Sequence, residues 1–426
     1  MEKRVWYSLY DKVFRKKNLY QAFEMVKANK GAPGIDNVTI GAYEVELENN
    51  LEVLHQKLKE KTYQPKPVKR TMIPKDNGKQ RPLGIPIVED RVVQAAVRNI
   101  IEPIFEEDFL PSSYGFRPGK RAHDAIDQVS RYLQQGYIHV IDADLQSYFD
   151  TIPHDQLETC IRKRITDGSV LRLIRGFLKA GVMEGERSFE ETTEGSPQGG
   201  VISPLLANIY LHQLDERMAE RGHRIVRFAD DFVIFCRSAK GAQRVMKSVT
   251  RYLEKELGLT VNRDKSQVVD AMESPFTFLG YQFYKNNRTI DPKKQEKFKK
   301  RVKELTRRNQ TVNLETLIKE RLNPYLRGWA NYYYYGNVKT RFGDWDAWIR
   351  RRLRMIQLRS WRHIKHLHRS LRKKGWREES LRGMRMFAWR SSKSPMVHAA
   401  LDLQFFEERG LVSLSTVYDE RYSKVN

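Results

Sequence analysis

The order of hydrophobic and polar residues divides the chain into a helical first part, a mixed middle part and a helical last part. Residues 1–60 follow a helical period that is interrupted at 31–34, and the chain beyond Pro292 is helical almost throughout. Within the first part, helical patterning resumes at 43–61 after the interruption. In the middle part, helical periodicity recurs in separate segments, at 92–105, 121–135, 157–164, 170–180, 204–221 and 241–257. The stretches between these segments are the candidate strands.

Strands are predicted where β-branched and aromatic residues are bounded by turn-forming residues. Residues 68–73 and 81–85 flank Asp76-Asn77-Gly78 and predict a β-hairpin. Further strands are predicted at 137–144, 259–269 and 276–284. The hairpin carries the basic residues Lys69, Arg70, Lys75, Lys79 and Arg81. It is therefore either a phosphate-binding element or an ordinary solvated basic surface.

The most apolar hairpin of the middle part covers residues 224–236. Two runs of β-branched and aromatic residues flank a very short break, which predicts two half-buried strands joined by a tight turn. The break holds two adjacent carboxylates, Asp230 and Asp231, and no Gly or Asn. A buried carboxylate is costly unless it is paired or bound to a metal, and Mg²⁺ prefers carboxylate oxygens. The turn is a candidate metal site, and a solvated hairpin tip is the alternative.

A second acidic cluster follows the predicted strand at 137–144 and contains Asp142, Asp144 and Asp150. Taken alone, the cluster is also explained by a strand end followed by a helix cap. Together with Asp230 and Asp231, it supplies carboxylates from separate strands. Two metal ions held in this way can bind the attacking and leaving oxygens of an in-line phosphoryl displacement.

Composition limits the protein class. A chain of 426 residues with 40% hydrophobic residues can form two or three domains with real cores. The two cysteines, Cys160 and Cys236, indicate neither a disulfide framework nor a cysteine-based zinc site. The first residues lack an apolar signal-peptide core, and no apolar run approaches membrane-spanning length. We therefore expect a soluble, cytoplasmic protein without a membrane partner.

The positive charge is concentrated in one part of the chain. The net charge is +24, and residues 293–393 contain 30 Lys and Arg against 8 Asp and Glu. The remainder contains 47 against 45. Such an asymmetry is typical of a polyanion-binding surface. A solubilising charged face is the alternative, although such faces usually mix both signs.

Six ordered motifs give the chain a resemblance to a known family. They are Tyr114-Gly115-Phe116-Arg117-Pro118-Gly119, Asp144 with Phe149, Ser196-Pro197-Gln198-Gly199-Gly200, Phe228-Ala229-Asp230-Asp231, Asn262 to Ser266 with Phe278-Leu279-Gly280, and Pro324 to Tyr333. The sequence resembles a bacterial group II intron reverse transcriptase/maturase over essentially its whole length. No Cys- and His-bearing endonuclease module follows the last motif, which is typical of the compact, group IIC-like class. Phe228 departs from the family, which usually has Tyr there.

The resemblance implies an α+β fold of the right-hand polymerase type, with fingers and palm and a C-terminal α-helical thumb/maturase domain. The expected domains are a helical extension of the fingers at 1–61, fingers and palm at 62–288, and the thumb at 289–426. The implied activity is DNA synthesis from deoxynucleotides on an RNA template, starting from a DNA or RNA primer. Binding of intron RNA to assist splicing and mobility is also implied. The alternatives are a non-enzymatic RNA-binding splicing factor with a relic polymerase fold, and a reverse transcriptase recruited to a host or defence role.

The resemblance also implies roles for individual residues. Asp144, Asp230 and Asp231 are expected to bind two Mg²⁺ ions, which Mn²⁺ can replace, whereas Asp142 matches no catalytic position and is expected to be structural. Phe149 is implied to be a steric gate whose ring excludes the ribose 2′-OH; a core aromatic is the alternative.

Further residues are implied to contact the nucleotide or the template. Lys75 and Arg81 are expected to bind the triphosphate, because Arg suits bidentate phosphate contact. Gln198 is expected to position the templating base pair. Lys265 is expected to protonate the leaving pyrophosphate, with a plain surface lysine as the alternative, and Arg117 is expected to contact template or nucleotide.

The predicted thumb combines arginines with aromatic residues, which suits RNA because arginines bind phosphates and aromatic rings stack on unpaired bases. The arginines expected to bind RNA are Arg350, Arg351, Arg352, Arg354, Arg359 and Arg362. The interleaved tryptophans are Trp345, Trp348, Trp361, Trp376 and Trp389. Most of these tryptophans are expected in the helix-bundle core, since each helix needs an apolar face.

Overall fold

The computed structural model describes residues 3–74, 80–184, 188–196, 199–309, 312–361, 363–382 and 392–422. The chain forms two compact units, Met1–Ser274 and Pro275–Asn426. The N-terminal helices belong to the first unit and share its core with the central sheet. The division lies before the predicted boundary at residue 288, because the strands from 276 to 290 pack on a helix of the second unit.

The first unit contains ten α-helices and eight strands among its described residues. The helices are α1 Tyr10–Val13, α2 Lys16–Ala28, α3 Ile40–Val45, α4 Leu47–Lys59, α5 Val88–Glu106, α6 Ala122–Gln134, α7 His154–Arg162, α8 Gly168–Lys179, α9 Ser203–Glu220 and α10 Ala239–Lys255. The strands are β1 Val68–Pro74, β2 Gln80–Ile85, β3 His139–Ala143, β4 Val182–Glu184, β5 Ser188–Glu190, β6 Arg224–Phe228, β7 Asp231–Cys236 and β8 Gln267–Asp270. A 3₁₀ turn covers Tyr148–Asp150.

The central sheet has the strand order β6-β7-β3-β8, with every pair antiparallel. Its central strands are buried on both faces, because α9 and α10 contribute apolar side chains to the same core. Helix α9 is buried almost all round, whereas α10 is amphipathic and turns only Ala242, Val245, Val249 and Leu253 fully inward. The sheet is therefore a rigid support for whatever its strand ends carry.

A second sheet of the first unit has the order β2-β1-β4-β5. Strands β1 and β2 pair antiparallel from Lys69↔Ile85 to Pro74↔Gln80, as the sequence predicted, and their connecting turn lies outside the described residues. Strand β1 also pairs in parallel with β4. Arg81 is exposed near the tip of this hairpin.

The second unit begins with a small antiparallel sheet of order β11-β10-β9 and continues as helices. Its elements are β9 Phe276–Phe278, β10 Tyr281–Tyr284, β11 Asn287–Ile290, α11 Pro292–Leu305, α12 Leu314–Thr316, a π-helical segment Leu317–Leu322, α13 Asn323–Tyr333, α14 Lys339–Ser360, α15 Lys365–Lys373, α16 Glu378–Arg382, α17 Pro395–Ala400, α18 Leu403–Glu407 and α19 Leu414–Tyr422. An aromatic core joins α11, α13 and α14. Its centre is Phe298, stacked 4.4 Å from Trp345 and in contact with Trp329.

The prediction of an α+β fold is confirmed, but β4, β5 and β11 were not predicted and two predicted strands differ in extent. The strand predicted at 259–269 is shorter, because the backbone N–H groups of Lys265 and Ser266 bond to the Asn262 carbonyl and form a turn. The strand predicted at 276–284 is two strands, since Leu279 and Gly280 adopt positive φ and reverse the chain. Within the described ranges, no helix has the length and hydropathy to cross a membrane.

Candidate active site

The two adjacent carboxylates lie at the turn of the β6–β7 hairpin. Phe228 pairs with Asp231, so the hairpin closes through the two-residue turn Ala229-Asp230. Ala229 has φ +59°, a left-handed conformation that costs a non-glycine residue about 1–2 kcal/mol. The turn therefore needs support from its surroundings to keep this shape.

Asp144 lies next to this turn because of the strand register. Strand β3 pairs antiparallel with β7 up to Ala143↔Phe232, so the next position along β3 is beside Asp231. One carboxylate oxygen of Asp144 accepts hydrogen bonds from Asn262 Nδ2 and Lys265 Nζ, each at 3.1 Å. The structure thus brings Asp144, Asp231 and Lys265 to one edge of the central sheet.

Electrostatics link the turn to its neighbours. Burial raises the pKa of the Asp230 carboxyl, the Asp144 charge raises that pKa further, and the Arg81 charge opposes both. Arg81 of the basic hairpin and Asp144 are therefore both close enough to Asp230 for their charges to act on it. Asp142 lies on the same face of β3 as Asp144, where burial raises its pKa to about 6 and Gln267 donates a hydrogen bond to it.

The donor set at the turn suits a hard divalent cation. Mg²⁺ takes one or two protein carboxylates and completes its shell with water and phosphate oxygens. The ranges that the structure describes contain no group of three or more His, Cys, Asp and Glu side chains arranged as a metal cage. Asp144 bonds to Lys265 and Asn262. A bound cation would take the place of the positive charge with which Lys265 now pairs Asp144. As hard oxygen donors, the three carboxylates fit the chemistry of Mg²⁺.

Phe149 lies in the 3₁₀ turn after Asp144 and is 8% exposed, so its ring is mostly enclosed by the core. Its carbonyl accepts a hydrogen bond from Ser196 N at 2.6 Å. Nearby, His154 Nε2 donates to the Gly195 carbonyl at 2.6 Å. These bonds hold the start of the Ser196–Gly200 loop against Phe149.

The same loop also contacts strand β2. A Cβ added to Gly199 would lie 2.4 Å from the Gly84 carbonyl oxygen, and Gly199 has φ +123°. Glycine is therefore required here by both space and conformation. Gln198 of this loop and Lys75 of the hairpin lie outside the described residues.

The prediction that Arg117 contacts template or nucleotide is not supported by its surroundings. Its side chain is 5% exposed and forms an ion pair with Glu106. Its guanidinium also donates to the carbonyls of Leu110 at 2.7 Å and Ser113 at 2.8 Å. With its donors committed in this way, Arg117 fixes the loop that precedes α6.

The arginines of α14 divide between core and surface, because neighbouring positions on a helix point in different directions. Arg354 is 7% exposed and its Nε donates to the Leu401 carbonyl, so its predicted RNA contact is not supported by its surroundings. Arg352 is half-buried and binds Thr306 Oγ1 at 2.6 Å, so it too is held within the unit. Arg351 is exposed, and Arg350 is partly exposed.

The remaining thumb predictions have mixed outcomes. Arg359 is exposed and donates to Asn309 Oδ1 at 2.7 Å, whereas Arg362 lies outside the described residues. Trp345 is buried, as expected for the core. Trp348 and Trp361 are only partly buried and Trp376 is 37% exposed, so the expectation of a core position for most of them is wrong among the described tryptophans.

Sequence reasoning missed a buried polar cluster beneath the turn. Arg227, Asp215 and Asn208 are all at most 1% exposed, and Arg227 bonds to both of the others. A signal was present in the sequence, because Arg227 interrupts an apolar strand and Asp215 lies within the helical segment predicted at 204–221. Charged residues at such positions indicate a buried pair rather than surface groups.

Two protein families match separate parts of the chain. The family described as "Reverse transcriptase (RNA-dependent DNA polymerase)" matches residues 73–283. The family described as "Group II intron, maturase-specific domain" matches residues 295–376. The first match lies in the first compact unit except for its last residues, 275–283, which belong to the second unit. The second match lies wholly in the second unit.

Individual proteins are similar to parts of this chain. Protein YkfC of Escherichia coli (strain K12) is 36% identical over 303 residues, which are 62% of this chain and 79% of that protein. The group II intron-encoded protein LtrA of Lactococcus lactis subsp. cremoris is 40% identical over 215 residues, 50% of this chain and 35% of that protein. A telomerase structure from Candida albicans matches over 71% of this chain and 64% of its own chain, at 13% identity and a TM-score of 0.44.

Proposed function

The chain belongs to the reverse transcriptases, the RNA-directed DNA polymerases, and carries a group II intron maturase domain. From this premise, we propose that Asp144, Asp230 and Asp231 form its catalytic centre. The observation that carries the proposal is the convergence of two strand ends and the basic hairpin. The Asp144 and Arg81 charges both act on Asp230, and the β3–β7 register puts Asp144 beside Asp231.

The reaction at this centre joins a deoxynucleotide to a primer. The primer 3′-hydroxyl attacks the α-phosphorus of the triphosphate, a new phosphodiester bond forms, and pyrophosphate leaves with the electrons of the broken bond. Two Mg²⁺ ions, when bound, would lower the pKa of the attacking hydroxyl and stabilise the charge on the leaving group. Asp144, Asp230 and Asp231 would hold these ions.

Other residues of the chain bind and orient the substrates. The Ala229-Asp230 turn with the adjoining Asp231 is called the carboxylate turn below. Arg81 is suited to binding the triphosphate, because its charge already acts on Asp230 of this turn and its guanidinium matches phosphate oxygens. Lys75 and Gln198 are assigned to the triphosphate and the templating pair by the family resemblance alone. Lys265 can give a proton to pyrophosphate once its bond to Asp144 is released.

The second unit is proposed to bind RNA. Basic residues line an open cavity between α11 and α14, including Lys299, Lys303 and Arg341, and Trp348 lies beside them. Lysine and arginine bind phosphates, while a partly exposed tryptophan can stack on an unpaired base. We assign intron RNA to this surface, in support of splicing and of target-primed mobility, because the maturase-specific domain covers it.

The function is tested by primer extension on an RNA template of mixed sequence. We expect incorporation of deoxynucleotides that requires Mg²⁺ and stops when EDTA is added. Binding of labelled intron RNA is measured beside it, with a transfer RNA as the competitor. Specific RNA binding without any incorporation would contradict the polymerase assignment and favour a relic fold.

A further inference from the structure

The side chain that supports the carboxylate turn from below is Arg227. It is 0% exposed and is the last residue but one of strand β6, directly before Phe228, which pairs with Asp231 across the turn. Its Nε donates to Asp215 Oδ1 at 2.9 Å, and Nη2 donates to the other oxygen of the same carboxylate. Its Nη1 donates to Asn208 Oδ1 and to the Ala229 carbonyl oxygen, each at 2.9 Å.

The bond to Ala229 fixes the plane of one peptide. The Ala229 carbonyl and the Asp230 N–H belong to the same rigid peptide group. If that peptide rotated, the direction in which the Asp230 side chain leaves the backbone would change with it. Since Ala229 is held in a left-handed conformation, an interaction that stabilises this orientation is required.

A buried ion pair is not explained by stability alone. Taking a guanidinium and a carboxylate out of water costs several kcal/mol per ion, and well-packed hydrophobic residues of similar volume are often as stable. Burial acts to lower the pKa of Arg227, but the Asp215 charge and its hydrogen bonds outweigh it, so the pair remains charged. What hydrophobic residues could not supply is the directed hydrogen bond to the Ala229 carbonyl.

The backbone of residues 112–115 also bonds to Arg227 and Asn208. Arg227 N donates to the Ser112 carbonyl at 2.9 Å, and Tyr114 N donates to the Arg227 carbonyl at 2.8 Å. Asn208 Nδ2 donates to the Gly115 carbonyl at 2.7 Å, so Asn208 contacts both Arg227 and this segment. The turn is thus supported by α9, by β6 and by the 112–115 segment together.

We propose that Arg227 is a positioning residue that sets the orientation of Asp230 for metal binding, with Asp215 and Asn208 orienting Arg227 in turn. The inference rests on the proposed catalytic role of Asp230 and names the group that controls it. Arg227 does not touch the substrate, because it is fully buried. Its loss should therefore act on metal affinity and on the rate of the chemical step.

The test replaces Arg227 by Lys, which keeps the charge but cannot reach Asp215, Asn208 and the Ala229 carbonyl at once. We expect the Mg²⁺ concentration for half-maximal extension to rise about 10-fold and the incorporation rate to fall about 10- to 100-fold, because small misplacements of catalytic groups have effects of this size. The KM for deoxynucleotide should change by less than about 3-fold by the same reasoning. Mn²⁺ binding without substrates, followed by electron paramagnetic resonance, should weaken in parallel.

Arg164→Lys is the matched control. Arg164 is also buried and forms ion pairs with Asp108 and Glu107, and its Nε donates to the Arg4 carbonyl, so these contacts are to residues outside the turn that carries Asp230. This variant should lose similar thermal stability without any change in Mg²⁺ requirement. Equal Mg²⁺ shifts in both variants would show a general loss of stability and overturn the proposal.

Two further variants separate the possible failures. If circular dichroism shows that Arg227→Lys does not fold, Asn208→Ala decides, because it leaves the ion pair intact; it should raise the Mg²⁺ requirement about 3-fold, and an unchanged requirement overturns the inference. Asp230→Asn is measured alongside. If Asp230→Asn extends normally, the proposed function fails; if it is inactive while Arg227→Lys behaves as wild type, only the positioning role fails.

Discussion

Gly115 lies directly against Ala229 at the base of the carboxylate turn. A Cβ added to Gly115 would be 2.3 Å from the Ala229 nitrogen and 2.8 Å from the Phe228 carbonyl carbon. Backbone atoms cannot yield as a flexible side chain does, so Gly115→Ala must displace the turn. We expect extension to fall at least about 10-fold, since catalytic groups tolerate little displacement.

Gly168→Ala is the control for this prediction. Gly168 starts α8, and a Cβ there would meet no atom within 4 Å. Both variants are assayed by single-nucleotide incorporation under saturating Mg²⁺. Wild-type activity in Gly115→Ala would mean that the turn is not held by this contact.

Sugar selection is predicted to depend on Phe149. Phe149→Val removes the ring while leaving a branched apolar side chain in the core. The protein should therefore still fold, with a free energy of unfolding lower by about 2–4 kcal/mol. Ribonucleotides should then be incorporated much more readily, because the space for a 2′-OH opens. The measurement compares matched deoxy and ribo substrates. An unchanged ratio in a folded variant would show that Phe149 is only a core residue.

RNA binding by the second unit is predicted to depend on the exposed arginine of α14 rather than on the buried one. Arg351→Gln should reduce the slope of log affinity against log salt by about 0.7, the value for one contact with a single strand. Arg354→Gln should instead lower the melting temperature, because its hydrogen bond to Leu401 is buried. Filter binding across a salt series and thermal unfolding of both variants give the comparison. The assignment fails if Arg351→Gln keeps the wild-type slope.

A buried carboxyl in the first unit should make stability depend on pH. Asp90 is 1% exposed and accepts hydrogen bonds from Tyr63 Oη at 2.6 Å and Lys66 N at 2.9 Å. Burial raises the pKa of the Asp90 carboxyl to about 6, above the 3.8 that is ordinary for an aspartate. A raised carboxyl pKa means that the folded state binds the proton more tightly than the unfolded state. The contribution of the Asp90 carboxyl to the free energy of unfolding is therefore fully present below the pKa that this group has in the unfolded chain. It is lost as the pH rises through about 6.

Asp90→Asn removes this titration and keeps an oxygen acceptor for Tyr63. Between about pH 4 and pH 7, the free energy of unfolding should fall less in the variant than in the wild type, by at most about 3 kcal/mol. Urea unfolding at several pH values in this range measures the difference. If the free energy of unfolding depends on pH in the same way in the variant and the wild type, Asp90 is not the cause of that dependence.

Some of the site was predictable from local sequence, because its geometry is set by short-range pattern. The hairpin at 224–236 and the strand before Asp144 follow from alternation and turn length, and antiparallel pairing then brings the carboxylates together. The burial of Arg117 and Arg354 was not predictable in this way. Arg354 bonds to Leu401, which is distant in sequence, and Arg117 bonds to carbonyls of its own loop and to Glu106. A charged residue in a polar stretch gives no sign of such partners.

The role of Asn208 was hidden for a related reason. It connects Arg227 to Gly115, and these three residues come from separate segments that only the folded chain brings together. The tryptophans of α14 show the opposite error. An apolar face accounts for Trp345, but Trp348 is three positions further on and lies at the edge of that face, where it stays partly exposed.

The central claim is that three carboxylates at one edge of the central sheet hold the catalytic metals, and Asp142 provides the matched control for it. Asp142 is an acidic residue on the same face of β3 as Asp144, yet it is not assigned to the metals. The measurement is single-nucleotide extension of an annealed primer on RNA, with Asp144→Asn, Asp230→Asn, Asp231→Asn and Asp142→Asn compared at equal, saturating RNA. We expect the first three variants to lose at least about 10³-fold in rate while their RNA affinity stays unchanged, and Asp142→Asn to remain within about 10-fold of wild type. Extension at the wild-type rate by Asp230→Asn or Asp231→Asn would contradict the account.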